Sequence, residues 1–431
     1  MNKIENKLVP ELRFPEFKND REWNKKSLID TVDKKIKWSF TGGPFGSNLK
    51  ASDYTSDGIR IIQLQNIGDG EFNDNYKIYT SKEKADELLS CNIYSGEIIL
   101  SKMGDPVGRA CLIPDSLVRC VMASDGIRLV VNEKEYSKLL IYYLINSEQI
   151  RNKIEKKATG STRKRIGLDE LKNIDLIIPE SINEQQKIAD CLSSLDEAIT
   201  SHNDKLQALK NHKKGLLQNL FPQERETIPK LRFQEFTFLL THYKFTELGE
   251  IKIGLTHKPD YKKDGIPFLS SKNISKGYID FDNVQFISHE KFESMPLSTK
   301  PKLGDILFTR VGSNLGNPII LDIDKEFGIF VSLGFFRVNN KAYNYYIKYW
   351  METDYFWLQV NQKVAGGAKD NLNTTWLKEI ELFLPSIEEQ KKIAECLSVV
   401  DELITKQNNK VEQLKDHKKG LMQRLFPKVK N

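Results

Sequence analysis

The chain has 431 residues, of which 39% are hydrophobic and 29% are charged, a composition typical of globular proteins that excludes a disordered chain. Its longest apolar runs are far too short to cross a bilayer, and MNKIENK at the N-terminus lacks the apolar core of a signal peptide, so we expect a cytoplasmic protein with no membrane partner. The net charge of +6 suits a polyanionic ligand, and the five cysteines and six histidines lack the spacing of metal ligands or of a disulfide framework.

Residues 1–182 predict a first domain of mixed helix and strand. Its short apolar runs are bounded by glycine and polar residues, which is typical of strands, and two longer segments have the composition of helices. The expected strands cover 59–64, 98–100, 127–131 and 176–178, and the expected helices cover 82–89 and 136–157.

Two glycine-containing loops of this domain carry groups that suit nucleic acid. The first reads TGGPFGSNLK at 41–50, and the second reads TGSTRKR at 159–165, which holds three cations and several hydroxyls. Guanidinium, ammonium and hydroxyl groups all bind phosphate oxygens, so this mixture fits a DNA backbone. A plain solvent-exposed turn is the alternative for each loop.

A long helix is predicted twice, at 183–222 and at 388–431. Each copy opens with the Ser-x-x-Glu capping pattern, at Ser181 and Ser386, and each meets a proline that a helix cannot pass. The two copies are NEQQKIADCLSSLDEAITSHNDKLQALKNHKKGLLQNLFP and EEQKKIAECLSVVDELITKQNNKVEQLKDHKKGLMQRLFP, and 25 of these 40 positions are identical. The chain therefore contains the same sequence unit twice.

Apolar residues along both helices alternate at spacings of four and three, which is the a/d repeat of a coiled coil. Polar residues occupy two seam positions of each helix, His202 with Lys213 and Gln407 with Lys418. Because such a stripe needs a partner of equal length, we expect an antiparallel coiled coil with the two domains in pseudo-twofold relation at its ends. Core helices of a larger fold are the alternative. The apolar seam residues are Ile188, Leu192, Leu195, Ile199, Leu206, Leu209, Leu216, Leu220, Ile393, Leu397, Val400, Ile404, Val411, Leu414, Leu421 and Leu425.

Residues 223–387 predict a second domain that repeats the first more weakly. PKLRFQEF at 229–236 repeats PELRFPEF at 10–17, and GDILFTRVG repeats GEIILSKMG. Between these anchors almost every polar residue differs, so two similar scaffolds carry different polar surfaces. The loop AGGAKDN at 365–371 keeps the glycines of the 159–165 loop but has a single lysine.

The sequence offers no motif for catalysis. The Asn/Asp-Pro-Pro-aromatic tetrapeptide of adenine methyltransferases fails at its second proline in both Asp105-Pro106-Val107 and Asn317-Pro318-Ile319, and no GxxxxGK[ST] loop for ATP is present. A non-catalytic, ligand-binding chain is the expectation.

Taken together, these motifs resemble the specificity subunit of type I restriction-modification systems. The resemblance rests on PxLRFxEF, GPFGSNLKASDY, ATGSTRKRI, LPSIEEQ and KKGLxQxLFP, and it covers nearly the whole chain. It implies an α+β protein with target-recognition domains over 1–182 and 223–387 and helical regions over 183–222 and 388–431. Each domain would read one half of a bipartite, asymmetric DNA site, while the helices set the gap between the half-sites.

The resemblance also implies partners that carry the chemistry. Two modification subunits would dock on the helices and methylate adenine with S-adenosylmethionine, and two restriction subunits would add an ATP-dependent nuclease. S-adenosylmethionine, ATP and Mg would then belong to those partners, and this chain would hold no cofactor. The alternatives are a protein-protein scaffold with a coiled-coil spacer and a self-sufficient methyltransferase or nuclease.

The expected DNA contacts come from the cations, amides and hydroxyls of the loops in both domains. Phosphate contacts are expected from Lys50, Lys102, Arg109, Arg163, Lys164, Arg165, Lys258, Lys272, Arg310 and Lys369. Base reading and further contacts are expected from Ser47, Asn48, Gln63, Gln65, Asn66, Ser161, Thr162, Asn273, Ser313, Asn314 and Asn371.

Overall fold

The computed structural model describes residues 8–161, 163–275, 277–312, 315–363 and 371–427. The chain divides into two compact units. The first extends to His202 and takes in the chain from Lys410 onward, and the second extends from Asn203 to Asn409. Each unit therefore combines one globular region with parts of both long helices.

The first unit mixes short strands with helices, as expected for an α+β domain. Its elements are β1 (Asn24–Ser27), β2 (Phe40–Gly42), β3 (Tyr54–Thr55), β4 (Ile59–Ile62), β5 (Ile78–Thr80), α1 (Lys82–Glu87), β6 (Asn92–Tyr94), β7 (Ile98–Ser101), β8 (Ala110–Leu112), β9 (Arg119–Met122), β10 (Gly126–Leu129), α2 (Lys138–Asn146), α3 (Glu148–Lys157), α4 (Leu168–Lys172), β11 (Asp175–Ile178) and the first part of α5 (Ile182–Leu220).

Within the described part of the first unit, the strands form three sheets. An antiparallel sheet has the order β2-β10-β7-β8, a mixed sheet has the order β3-β5-β4-β9-β6 with β4 and β9 parallel, and β1 pairs with β11. The single helix expected over 136–157 is two helices, because the hydroxyl of Ser147 accepts from the amide of Ile150 and begins a new helix there.

The second unit repeats this arrangement. Its elements are β12 (Thr241–Lys244), β13 (Gly249–Ile253), β14 (Ile266–Leu269), β15 (Gln285–Ile287), α6 (His289–Glu293), β16 (Ile306–Thr309), β17 (Gly316–Ile320), β18 (Gly328–Ile329), β19 (Leu333–Val338), α7 (Asn344–Trp350), α8 (Asp354–Lys363), α9 (Thr374–Lys378), β20 (Glu381–Leu384) and the first part of α10 (Ile387–Leu425), with the second part of α5.

The strand orders of the two units correspond. The sheet β13-β19-β16-β17 matches β2-β10-β7-β8, the sheet β15-β14-β18 matches β5-β4-β9 with its parallel pair, and β12-β20 matches β1-β11. The expectation that both halves share an α+β fold is confirmed. The pseudo-twofold relation between the units stays a prediction.

Both long helices contribute to the cores of the units. In the first unit Ile188 and Leu192 share a core with Leu425 and Phe426. The second unit packs Phe221 and Leu397 into the corresponding core. The phenylalanine of each LFP ending is thus a buried anchor, and the helices end at Leu220 and Leu425, ahead of the prolines.

Within each unit the two helix segments run antiparallel. In the first unit Asp196 pairs with Lys418 at 2.5 Å. Ile188 precedes Asp196 in the chain, whereas Leu425, which shares its core, follows Lys418, so the two segments run in opposite directions. In the second unit Lys213 pairs with Asp401 at 2.7 Å. All sixteen predicted apolar seam residues are buried or half-buried.

The repeated PxLRFxEF motif has a structural role. Arg13 donates two hydrogen bonds of 2.7 Å to the carboxylate of Glu184, which also accepts from the indole of Trp23 at 3.1 Å. Arg232 forms the same pair of 2.7 Å bonds with Glu389. The capping box expected at each helix is therefore only half correct, since serine caps the helix while the glutamate holds an arginine.

None of the helices within the described residues is long and apolar enough to cross a membrane.

Candidate nucleic-acid interface

Glycine positions the first predicted loop of the first unit. The amide of Gly43 donates to the carbonyl of Gly126 at 2.8 Å, so the loop 43–50 starts beside the residues that precede β10. A Cβ on Gly43 would lie 1.8 Å from the carbonyl oxygen of Ala123, which makes any larger residue impossible here. At the tip of the loop the side chain of Phe45 is 84% exposed.

The basic loop is held against the same region. The backbones of Thr159 and Arg165 exchange hydrogen bonds of 2.9 and 2.8 Å, which closes the loop as a hairpin. The amide of Gly104 donates to the carbonyl of Lys164 at 3.1 Å, and the amide of Lys102 donates to the carbonyl of Asp125 at 2.6 Å. Segments from four distant parts of the first unit therefore meet on one surface.

A cavity of about 220 Å³ opens on this surface. Its walls include Phe45 from the glycine loop, Gln63 and Gln65 from the end of β4, and Ser124 and Asp125 from the turn before β10. A concave site with several polar groups and an aromatic side chain suits a ligand that combines hydrogen-bonding edges with apolar faces.

The second unit has an equivalent surface, which is formed by different residues. The amide of Gly254 donates to the carbonyl of Leu333 at 3.2 Å, and a Cβ on Gly254 would lie 2.2 Å from the carbonyl oxygen of Ile329. The amide of Arg310 donates to the carbonyl of Ser332 at 2.8 Å, as Lys102 does to Asp125. The backbone scaffold is therefore repeated while its side chains differ.

Two predicted base-reading residues are structural instead. Asn66 is fully buried, and its amide donates to the carbonyls of Asn73 and Tyr76 at 2.8 and 2.9 Å while its oxygen accepts from the amide of Gln63. Asn273 is 6% exposed and closes the equivalent turn of the second unit. The hydrogen-bonding groups of these two side chains are already occupied within the fold, which argues against the predicted contacts with DNA.

Arg310, which is predicted to contact phosphate, is also engaged within the fold. Its side chain is largely buried, and its guanidinium donates to the backbone carbonyls of Val331 and Leu372 at 3.0 and 3.3 Å. Burial lowers the pKa of this guanidinium. In this conformation Arg310, directly after β16, connects the residues that precede β19 and α9.

The remaining predicted residues occupy accessible positions. Lys102, Arg109, Lys164 and Gln63 are half-buried. The exposed residues are Ser47, Asn48, Lys50, Gln65, Ser161, Arg163, Arg165, Lys258, Lys272 and Asn371. Four predicted residues, Thr162, Ser313, Asn314 and Lys369, lie outside the described residues.

The cations of the first unit stand close enough to influence one another. Burial lowers the pKa of the Lys102 ammonium, the nearby charge of Arg165 lowers it further, and the carboxylate of Asp125 acts in the opposite direction and raises it. Lys164 forms an ion pair with Glu155, so part of its charge is already compensated. A phosphate placed between Lys102 and Arg165 would relieve the repulsion between them.

Sequence reasoning assigned a contact role to only two of the residues that line the cavity, Gln63 and Gln65, and missed the others. Phe45 was seen only as part of a glycine loop, and Ser124 and Asp125 follow the buried strand β9 without a motif of their own. The only signal in the sequence is an aromatic residue between two glycines, a place where a core residue is not expected.

Comparison with known proteins gives a consistent answer. The family model of the type I restriction modification DNA specificity domain matches residues 54–211 and 240–413. The type I restriction enzyme MjaVIII specificity subunit of Methanocaldococcus jannaschii is 26% identical over 351 residues, which cover 78% of this chain and 77% of that protein. The putative MjaX specificity subunit of the same organism is 24% identical and covers 86% of each chain.

A solved structure has the same fold. The S subunit of a type I restriction-modification system from M. genitalium superimposes with a TM-score of 0.58 at 17% identity, covering 98% of this chain and 100% of that one. With both repeats matched by one family model, this chain belongs to the family of type I restriction modification DNA specificity domains.

Proposed function

We propose that this chain is the DNA-binding specificity subunit of a type I restriction-modification complex. Each unit binds one half of a bipartite, asymmetric site, and the two helices set the gap between the half-sites. The proposal is supported by the repetition of one scaffold with two sets of polar residues, since equal folds with unequal surfaces suit two different half-sites.

One observation carries the proposal. In the first unit the loop 43–50, the turn before β10, the residues after β7 and the basic loop 159–165 are joined by backbone hydrogen bonds into one surface. Its exposed Arg163 and Arg165 suit phosphates, and its glutamines suit base edges. Folding alone brings these segments together, so the surface rather than any single motif is the binding site.

The proposal extends to the partners. Two modification subunits dock on the helices and supply S-adenosylmethionine and the methyl transfer, and two restriction subunits supply the ATP- and Mg-dependent cleavage. This chain contributes the choice of site and no catalytic residue. The relatives named as specificity subunits of type I restriction enzymes support this division of labour.

The salt dependence of DNA binding tests the surface. The full chain with its modification subunit is titrated with duplex DNA over a series of salt concentrations. Because each phosphate contact releases counterions, Arg163→Ala should weaken binding to all sequences and flatten the plot of log affinity against log salt by about one unit. Lys26→Ala is the matched control, since Lys26 is an exposed cation on β1, outside this surface, and should leave the slope unchanged.

One outcome would contradict the proposal, and another would contradict only the phosphate role of Arg163. A protein-protein scaffold would leave duplex DNA unbound with and without the modification subunit. An Arg163→Ala variant that reads a different motif with an unchanged salt slope would show that this residue reads a base and not a phosphate.

A self-sufficient methyltransferase is distinguished by a simpler assay. The chain alone, given S-adenosylmethionine and unmethylated DNA, should transfer no methyl group. Transfer at the level of the complete complex would overturn the assignment of catalysis to the partner.

A further inference from the structure

Asp125 is an unusual residue for a surface that binds phosphates. It lies directly before β10 in the wall of the cavity, and its carboxylate is half-buried. Its backbone carbonyl accepts from the amide of Lys102 at 2.6 Å, which fixes the position of the residue. Among the residues that the structure describes, no hydrogen bond or salt bridge to the carboxylate is found, but its charge acts on the nearby ammonium of Lys102 and raises the pKa of that group.

A carboxylate on a DNA-binding surface repels the phosphates and weakens binding unless it accepts a hydrogen bond from the DNA. The donors on the base edges of the major groove are the amino groups of cytosine and adenine, and a carboxylate is the usual partner of the cytosine amino group. Asp125 therefore suits a cytosine better than any other base.

The second unit shows that the fold does not require this charge. Ser332 occupies the corresponding position, and its carbonyl accepts from the amide of Arg310 at 2.8 Å as that of Asp125 does from Lys102. The hydroxyl of Ser332 accepts from the amide of Ser271 at 3.1 Å, so it supports the backbone. The carboxylate is a property of the surface of the first unit and not of the shared scaffold.

Phe45 provides the apolar part of the same site. The residue is 84% exposed and lines the cavity together with the turn that holds Asp125, and Gly43 fixes the start of its loop. An exposed ring at this place is explained by contact with the DNA, since apolar side chains in the major groove pack against base edges such as the thymine methyl group.

We propose that Asp125 is a specificity-determining residue, which accepts a hydrogen bond from the amino group of a cytosine in the half-site read by the first unit, with Phe45 packed against the neighbouring base. The inference rests on the proposed function and adds the identity of one base and the residue that reads it.

Mapping of methylated adenines in cells that express the full chain with its modification subunit tests the inference. The wild type should give a bipartite motif with a cytosine in one half. Asp125→Ser, which installs the residue of the second unit, should lower the preference for that cytosine by about tenfold or more and leave the other half-site unchanged. Glu133→Ser, which removes an exposed carboxylate that does not line the cavity, should leave the whole motif unchanged.

The outcomes separate the inference from the proposed function. Absence of any methylated motif with the wild-type chain would reject the proposed function. A wild-type motif that the Asp125→Ser variant still reads with its cytosine requirement intact would overturn the inference, as would a motif without cytosine in either half. Loss of methylation at every site with an unchanged melting temperature would also overturn it, because reading one base affects one position. If serine lowers the melting temperature, the nearly isosteric Asp125→Asn decides by the same criteria.

Discussion

A buried asparagine closes the same turn in both units. Asn66 follows β4 and Asn273 follows β14, and each side chain bonds three backbone groups of the loop that it caps. This turn also directs the residues beside it, including Gln65, toward the surface. At the scale of single residues, a polar side chain close to a binding surface can therefore serve the fold alone.

Replacement of Asn66 by alanine tests this structural role. The change leaves the carbonyl of Asn73 and the amide of Gln63 without their side-chain partner and leaves the carbonyl of Tyr76 with the guanidinium of Arg60 alone. Buried unsatisfied groups cost about 1–3 kcal/mol each. We expect the free energy of unfolding of the first unit to fall by about 3 kcal/mol, measured by urea denaturation.

Gln65→Ala is the control, because Gln65 is the exposed neighbour of Asn66. It should leave the unfolding midpoint unchanged while affecting DNA binding. An Asn66→Ala variant with wild-type stability and an altered DNA motif would restore Asn66 as a base-reading residue.

Composition alone could not separate these two neighbours. Gln65 and Asn66 are both amides next to an apolar run, and only the direction in which the turn points each side chain decides which one is buried. The same reason applies to Arg310. A cation after a core strand is solvent-exposed or buried according to the loop that covers it, and the sequence does not fix that loop. The sequence does not show that Asp125 lies in the cavity, because the segments that form the cavity with it come together only after folding.

At the scale of elements, the seam lysines have a specific partner in each unit. Lys418 pairs with Asp196, which also accepts from the hydroxyl of Tyr143 at 2.8 Å. In the second unit Lys213 pairs with Asp401, and the hydroxyl of Tyr349 donates to that carboxylate at 2.9 Å. A charged pair within an apolar seam adds little to stability but disfavours every register that separates its members.

The change of the unfolding free energy at acid pH depends on Asp401. Burial would raise the pKa of this carboxyl, but the charges of Lys348 and Lys213 outweigh burial and hold its pKa below the ordinary value of 3.8. A group with a lowered pKa stabilises the fold above the unfolded-state pKa, and this contribution is lost as the pH falls through the folded-state pKa. We expect the difference in unfolding free energy between wild type and Asp401→Asn to be largest near pH 7 and to shrink below about pH 4.

Asp204→Asn provides the comparison for this measurement. Asp204 is an exposed carboxylate on α5 within the same unit, and its replacement should give a small difference that hardly changes with pH. A difference for Asp401→Asn that stays constant from pH 7 to pH 3 would show that the carboxylate does not contribute through its charge.

The elements themselves were largely predictable. The long helices followed from their repeat and their prolines, and the predicted strands lie within two residues of β4, β7, β10 and β11. The break between α2 and α3 was not predicted, because the residues on either side of Ser147 continue a helical composition and only the cap interrupts it. The seam lysines were noted as polar exceptions, and their aspartate and tyrosine partners became visible only in the fold.

At the scale of the whole molecule, each unit presents the same exposed helix residues. The first unit exposes Lys415, His417 and Lys419, and the second exposes the equivalent Lys210, His212 and Lys214. Because the two sets are identical in type and lie on equivalent helix segments, we expect one modification subunit to bind each unit. The mass of the saturated complex, measured by native mass spectrometry, should correspond to two modification subunits for each chain.

Charge reversal tests the equivalence of these two surfaces. Lys214→Glu and Lys419→Glu should each remove one modification subunit and leave one bound, and the double variant should bind neither. Lys82→Glu, on α1 and outside the two long helices, is the control and should keep both modification subunits bound. Saturation of the wild-type chain by a single modification subunit would contradict the expectation.

The first unit is completed by the last part of the chain. The core that contains Ile188 and Leu192 also contains Leu425 and Phe426, and the amide of Leu12 donates to the carbonyl of Arg424 at 2.9 Å. During synthesis the ribosome therefore makes the whole second unit before it releases the helix that finishes the first. A ribosome that stops between residues 410 and 425 leaves the second unit with all of its residues and the first with part of its core missing, so termination near the end of the chain damages the unit that was made first.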